Sequence, residues 1–307
     1  MRWRGRRQSS NVVDKRGTRM PRMARLGAGG GGILRLLPLV FRVLGFKGTL
    51  IAVVLVVGYG YFSGDLERFL GDGGSERSQS GSGNQPIKQS AAEKQLVEFV
   101  SAVLADTEDS WNELFRQAGK SYREPQLILF RQAVATACGT GSAQIGPFYC
   151  PSDQKVYLDL SFFDELKSRH GAPGDFAQAY VIAHEIGHHV QTLIGISAKV
   201  HKAKKSLTQV EANRLSVKQE LQADCYAGIW AHDANRSRQI LETGDIEEGL
   251  AAASAIGDDR LQKQARGYVT PDSFTHGSSK QRVAWFRRGL AEGTLKACDT
   301  FTAGAEL

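Results

Sequence analysis

The sequence predicts an α+β protein that is mostly helical, with a small sheet in its folded part and one transmembrane helix before it. Three observations favour this fold class. A nearly uncharged run ends at residue 62, two short apolar segments between residues 125 and 160 have the composition and alternation of strands, and from Asp175 onward apolar residues recur at helical spacing. At 307 residues the chain can hold one large domain or two small ones.

Residues 1–42 are interpreted as a basic cytoplasmic tail. Residues 1–47 carry twelve Lys or Arg against one acid, a net charge of +11, whereas residues 48–307 carry a net charge of −4. Because the basicity belongs to this N-terminal stretch, it does not indicate that the folded part binds nucleic acid, and no nucleic-acid partner is expected. Contact of the tail with nucleic acid or acidic lipid stays open as a secondary role.

Residues 43–62 contain a single charged residue, Lys47, near one end. About 20 apolar residues are needed to span a bilayer, and the stem of a terminal lysine can snorkel to the interface. The alternative is a buried core segment, but such segments are seldom so long and so uniformly apolar. Since an excess of Lys and Arg marks the cytoplasmic side, we expect a single-pass anchor in the lipid bilayer, with the N-terminus in the cytoplasm and the rest of the chain outside.

Residues 63–90 include a Gly- and Ser-rich stretch with few apolar side chains, which is typical of a flexible linker. The folded domain is expected to occupy residues 91–307. Its first part has the pattern of one or two amphipathic helices, followed by strands at "PQLILF" and "KVYLDL". From Asp175, a candidate helix cap, the chain is predicted to be helical.

All four cysteines follow the apolar run. An even number of cysteines in an exported domain is compatible with two disulfides, of which four cysteines allow three pairings. Cys138 and Cys150 bracket a Gly-rich stretch that can fold back, so we expect this pair, which leaves Cys225 with Cys298. Four buried free thiols are the alternative.

The segment "AHEIGHHVQTLIG" carries the clearest chemical signal. It lies within a predicted helix, where His184 and His188 project from one face one turn apart. Two imidazoles so placed can share a zinc ion, while Glu185 points off that axis and can reach a water molecule. This His-Glu-x-x-His pattern is typical of zinc metalloproteases. The alternative is a polar helix face, but the small and apolar neighbours indicate a buried helix.

A catalytic zinc site needs a third protein ligand and an open position. Gln191 and Ile194 exclude a third histidine in the helix continuation. Downstream, Glu220 and Asp224 lie one helical turn apart among small residues, so their helix can approach the first one closely. We expect Glu220 to be the third ligand and Asp224 to hold a ligating histidine through its other ring nitrogen. An ordinary solvent-facing carboxylate pair is the alternative.

Three segments, "AHEIGHHVQ", "ELQADCYAGIWAH" and "TPDSFTHGSSKQRVAWF", resemble a bacterial family of neutral zinc metallopeptidases, and the resemblance covers most of residues 91–300. It implies a zincin-like metallopeptidase domain of the gluzincin type, one Zn²⁺ per chain and a peptide or protein substrate. In a bacterium the expected anchor would lie in the inner (cell) membrane, with the catalytic domain periplasmic or extracellular.

The segment around His276 is similar to a Thr-His-Pro segment of the membrane-associated M48-type proteases, in which an Arg follows six residues after the His. Thr275, His276 and Arg282 keep that spacing, but Gly277 replaces the proline. The resemblance implies that His276 stabilises the oxyanion of the tetrahedral intermediate and that Arg282 holds the site together. The alternative is an ordinary turn before a helix capped by Ser278 or Ser279.

The sequence therefore predicts zinc-assisted peptide hydrolysis with Glu185 as the general base. The strand "KVYLDL" is a candidate for binding an extended substrate by strand addition. The rival hypothesis is a membrane-tethered scaffold or interaction protein that keeps zinc structurally, with a fourth protein ligand such as His276 or Asp224 closing the site. The sequence does not indicate the oligomeric state.

Overall fold

The computed structural model describes residues 1–18 and 89–302 of the chain. In these residues the chain is mostly helical with a small sheet, as the sequence predicts. The elements, in chain order, are β1 (Val12–Asp14), α1 (Ala91–Gln117), β2 (Gln126–Phe130), β3 (Ala133–Thr136), β4 (Gly139–Ser142), β5 (Phe148–Cys150), β6 (Lys155–Asp159), α2 (Ser161–Ser168), α3 (Asp175–Leu193), α4 (Ile196–Lys204), α5 (Gln209–Arg238), α6 (Asp245–Ala255), α7 (Asp258–Arg266) and α8 (Ser279–Glu292).

The larger sheet has the strand order β1-β2-β6-β5, and β3 and β4 form a separate hairpin. β2 pairs parallel with β1 on one side and with β6 on the other, and β5 pairs antiparallel with β6. Leu127, Leu129, Val156 and Leu158 alternate along β2 and β6 and join the main hydrophobic core. β6, which contains most of "KVYLDL", is therefore an inner strand, and β5 forms the edge next to it.

The N-terminal residues belong to the domain, contrary to the prediction of a cytoplasmic tail. Residues 1–18 lie in the same compact unit as the rest of the described chain. Val12–Asp14 pairs with Leu127–Leu129 in the sheet, Trp3 packs edge-on against Phe99, and Arg7 forms an ion pair with buried Glu108. The charge of the N-terminal residues did not predict this position, because a count of charges does not show which acidic side chains the arginines contact.

This arrangement corrects the expected localisation. A single membrane crossing at residues 43–62 would place the N-terminal residues and the domain on opposite sides of the bilayer, whereas they share one sheet. Among residues 1–18 and 89–302, no helix combines the length and the apolar character that a membrane span requires. The predicted span 43–62, and the linker 63–90 up to residue 88, lie outside the described residues. The predicted transmembrane helix and single-pass inner-membrane localisation are therefore not supported.

Ser9 provides a test of the N-terminal docking. It is buried, its hydroxyl donates to Glu108 at 2.5 Å, and its backbone N–H donates to the Ser101 carbonyl at 3.0 Å. Ser9→Ala should lower the free energy of unfolding by about 1–3 kcal/mol, because it removes a buried hydrogen bond to a carboxylate. Ser10 is exposed, so Ser10→Ala is the matched control. Equal stability of both variants in a urea titration would contradict this docking.

Both disulfides have the expected pairing. Cys138 is bonded to Cys150 and Cys225 to Cys298, and the described residues include no free cysteine. The first bond ties the β3–β4 hairpin to the edge strand β5. The second ties α5 to the C-terminal turn Leu295–Cys298.

Helices α3, α5, α6 and α8 pack around a core that includes Tyr180, Tyr226, Trp230 and Phe286. α3 begins at Asp175 as expected, but Asp175 does not cap it. The side chain of Glu248, from α6, accepts the Phe176 N–H at 3.0 Å, so a neighbouring helix supplies the missing cap.

Candidate metal centre

The site lies where α3 crosses α5. A Cβ atom at Gly187 would lie 2.9 Å from the Ala223 carbonyl oxygen, so only glycine permits this close approach of the two helix backbones. The contact brings His184 and His188, which flank Gly187, opposite Glu220 and Asp224, which flank Ala223. The small residues noted in the sequence thus determine the distance between the two motifs.

Three side chains present ligand atoms to one point. His184 Nε2 lies 3.2 Å from Glu220 Oε2, and His188 Nε2 lies 3.4 Å from Glu220 Oε1. In the described residues, His184, His188 and Glu220 form a group whose ligand atoms all lie within 4.8 Å of one another. A tetrahedral zinc ion with ligand distances of about 2.0–2.1 Å separates neighbouring ligand atoms by about 3.3–3.4 Å. Both the donor set, two imidazole nitrogens and one carboxylate, and its spacing fit zinc.

The electrostatics of the three groups also favour a cation between them. Burial alone would raise the pKa of Glu220, but the neighbouring His188 and His184 hold it well below its usual range. Burial would lower the pKa of His184, but the adjacent Asp224 carboxylate raises it to about 10. Glu220 likewise raises the pKa of His188, which is half-buried. Glu220 is therefore an ionised, half-buried carboxylate that faces two imidazoles, an arrangement suited to a bound metal ion.

Asp224 and its partners fix the orientation of His184 on its Nδ1 side. Asp224 Oδ1 lies 2.8 Å from His184 Nδ1 and also accepts the Tyr180 hydroxyl, while Arg282 donates to both carboxylate oxygens at 2.8 and 2.9 Å. Burial opposes the ionised carboxylate, but Arg282 and His184 lower the pKa of Asp224. Asp224 is therefore oriented towards Nδ1 of His184 and away from the position that Nε2 faces.

His188 has a different partner on its Nδ1 side. The carbonyl oxygen of the Gln191 side chain lies 2.9 Å from His188 Nδ1, and Gln191 is completely buried. In the sequence, Gln191 only excludes a third histidine, although its position one turn after His188 also indicates that the two side chains meet. Tyr180, one turn before His184, was missed in the same way.

Asp258 orients the His276 segment. Its Oδ2 accepts the backbone N–H groups of Thr275, His276 and Gly277, and its Oδ1 lies 3.2 Å from His276 Nδ1. The hydrogen bond to Asp258 raises the pKa of His276. Nothing in the local sequence connects Asp258 with a segment 17 residues later, so sequence reasoning gave it no role.

The departure of Gly277 from proline has a structural reason. Gly277 has φ +92°, which proline cannot adopt, and donates its N–H to Asp258. The expected helix start is also present: α8 is capped by Ser278, which forms a capping box with Gln281. A capped helix and a cavity-lining His276 therefore occur together, although the sequence presented them as alternatives.

The remaining predicted side chains border one cavity of about 520 Å³. Its wall includes Glu185, His276 and Arg282 beside the three candidate ligands, together with Phe148 and Tyr149 of the edge strand. Glu185 is 8% exposed, and burial raises the pKa of its carboxyl group. The cavity thus brings all seven predicted site residues together, Asp224 through its bonds to His184 and Arg282.

Comparison with known proteins gives a family match over nearly the whole chain. A family model described as "Putative neutral zinc metallopeptidase" matches residues 1–301. The match includes the N-terminal residues, which the resemblance noted in the sequence did not cover.

Two relatives illustrate the similarity. The protein YpfJ of Escherichia coli strain K12, described as uncharacterized, is 48% identical over 302 residues, which is 98% of this chain and 99% of the relative. The protein Rv2575 of Mycobacterium tuberculosis strain H37Rv, also described as uncharacterized, is 40% identical over 215 residues, 67% of this chain and 72% of the relative. No solved structure matches the chain significantly.

Proposed function

Since the chain belongs to the neutral zinc metallopeptidase family, we propose that it hydrolyses peptide bonds at the site formed by His184, His188 and Glu220. The observation that carries the proposal is the spacing of the three ligand atoms, within 4.8 Å of one another and suited to one zinc ion. When bound there, zinc polarises a substrate carbonyl and lowers the pKa of a water molecule towards about 7.

Glu185 is the proposed general base. It follows His184 directly in α3, so it lies beside the ligands without sharing their helix face, and it borders the same cavity. Glu185 takes a proton from the water molecule while the water oxygen attacks the carbonyl carbon of the substrate. It then gives that proton to the nitrogen of the leaving amine when the C–N bond breaks.

His276 is the proposed oxyanion donor. Asp258 accepts from Nδ1, so Nε2 is left for the cavity that His276 borders. The raised pKa favours the protonated ring, which can donate a hydrogen bond to the oxyanion. Arg282 acts indirectly: it holds Asp224, which in turn fixes the ring of His184.

The edge strand β5 is the proposed binding edge for an extended substrate. The sequence indicated β6 for this role, but β6 already pairs with β2 and β5. Phe148 and Tyr149 of β5 border the cavity, so a peptide added along β5 would pass the catalytic side chains.

The proposal is tested by metal analysis followed by a protease assay on the same preparation. Purified protein should contain about one zinc ion per chain and cleave an unfolded protein substrate such as reduced casein; a chelator should abolish cleavage and added zinc should restore it. The rival scaffold role predicts zinc without cleavage. A protein that binds no zinc would refute both.

A further inference from the structure

Two buried glutamine side chains connect His188 to the backbone of distant segments. Gln191 Nε2 donates to the backbone carbonyl of Gln219 at 2.7 Å and to the side-chain oxygen of Gln222 at 3.0 Å. Gln222 Nε2 donates in turn to the backbone carbonyl of Cys298 at 3.1 Å. Gln191 is 0% exposed and Gln222 is 3% exposed. Buried amides that are hydrogen-bonded at both the nitrogen and the oxygen have one favoured orientation.

The donor-to-acceptor direction of these hydrogen bonds is set by the two backbone carbonyls. A backbone carbonyl can only accept, so the Gln219 and Cys298 carbonyls must each face an amide nitrogen. Turning the Gln191 amide over would place its oxygen against two acceptors, the Gln219 carbonyl and Gln222 Oε1. Turning the Gln222 amide over would place its oxygen against one acceptor, the Cys298 carbonyl. The oxygen of Gln191 must therefore face His188, where it can only accept a hydrogen bond.

We propose that Gln191 and Gln222 form a hydrogen-bond relay that fixes His188 in the tautomer needed for metal binding. Because the relay presents an acceptor to Nδ1, Nδ1 carries the proton and Nε2 keeps its lone pair. Nε2 is the atom that lies 3.4 Å from Glu220, at the candidate zinc position. Both glutamines are positioning residues that act through His188.

The relay also explains why the two histidine ligands are held differently. Asp224, a carboxylate, accepts from His184, whereas a neutral amide accepts from His188. The far end of the relay is fixed covalently, because Cys298 is bonded to Cys225, one turn after Gln222 on α5. The second disulfide thus anchors the group that orients a metal ligand.

The inference rests on the zinc site of the proposed function, and its test measures zinc binding rather than hydrolysis. Gln191→Met keeps the length of the side chain and removes its hydrogen bonds. We expect zinc affinity, measured by chelator competition, to fall about 10–100-fold, the usual effect of removing a partner of a ligating histidine. Gln222 does not contact His188, but Gln222→Met should also lower the affinity for zinc. Gln219→Met is the control, since its side chain only reaches Ser197 at 3.4 Å.

Nuclear magnetic resonance on zinc-loaded, ¹⁵N-histidine-labelled protein separates the relay from a general loss of stability. In the wild type, His188 should show a slowly exchanging Nδ1–H. Gln191→Met should lose that signal and keep the Nδ1–H of His184, which is bonded to Asp224. If the wild type binds zinc and Gln191→Met binds it equally tightly, or if the metal occupies Nδ1 of His188, the relay is wrong while the proposed function stands. If the wild type binds no zinc, the metal site itself is refuted.

Discussion

Glu185→Gln should abolish most peptide hydrolysis while zinc stays near one ion per chain. Glutamine keeps the shape of the side chain but cannot accept the proton of the attacking water. Loss of a general base typically costs about 10²–10⁴ in rate. The metal should stay because Glu185 is not among the three side chains whose ligand atoms converge. Zinc content and the initial rate of casein cleavage, measured on one preparation, check this result.

Two further variants separate the proposed role of Glu185 from zinc binding and from a general effect of removing a carboxylate in this cavity. Glu220→Gln should weaken zinc binding itself, because it replaces a candidate ligand. Glu165→Gln, which borders the same cavity and is ion-paired with Arg169 at 3.4 Å, should retain zinc and most of the hydrolysis. The assigned roles would be wrong if Glu185→Gln lost its zinc while Glu220→Gln kept both metal and activity.

Arg282→Met should destabilise the domain more than Ser9→Ala does. The Arg282 side chain is 2% exposed and its partner Asp224 is 0% exposed. Removing the guanidinium leaves a carboxylate buried with only Tyr180 and His184 to compensate it. Removing one partner of such a buried ion pair usually lowers the free energy of unfolding by about 3–5 kcal/mol. The measurement is urea unfolding with chelator present, so that a change in zinc affinity does not contribute.

Arg287 on the same helix provides the matched control. It is exposed, so Arg287→Met should change the free energy of unfolding by no more than about 0.5 kcal/mol. Arg282→Met combined with Asp224→Leu should recover part of the lost stability, because no unpaired charge is then left in the core. If Arg282→Met lowers the free energy of unfolding no more than Arg287→Met does, Arg282 does not stabilise the buried Asp224 carboxylate.

The chemistry of the candidate site follows from local spacing in the sequence. His184 and His188 lie four residues apart in a helix, and Glu220 and Asp224 repeat that spacing in another. Helical geometry is local, so it fixes which side chains share a face before any tertiary contact forms. The disulfide pairs were also predictable, because Cys138 and Cys150 bracket a Gly-rich stretch that can fold back, which left Cys225 with Cys298.

The position of Met1–Thr18 and the groups that orient the candidate site depend on tertiary contacts. The "NVVD" stretch around β1 is too short to predict a strand, and it becomes one only because β2 offers a free edge. Asp258 and Gln222 act through partners that are distant in sequence, and buried polar groups are paired by the folded packing rather than by local spacing. Local periodicity predicts the candidate metal ligands of this protein, whereas long-range hydrogen bonds bring in the groups that orient them.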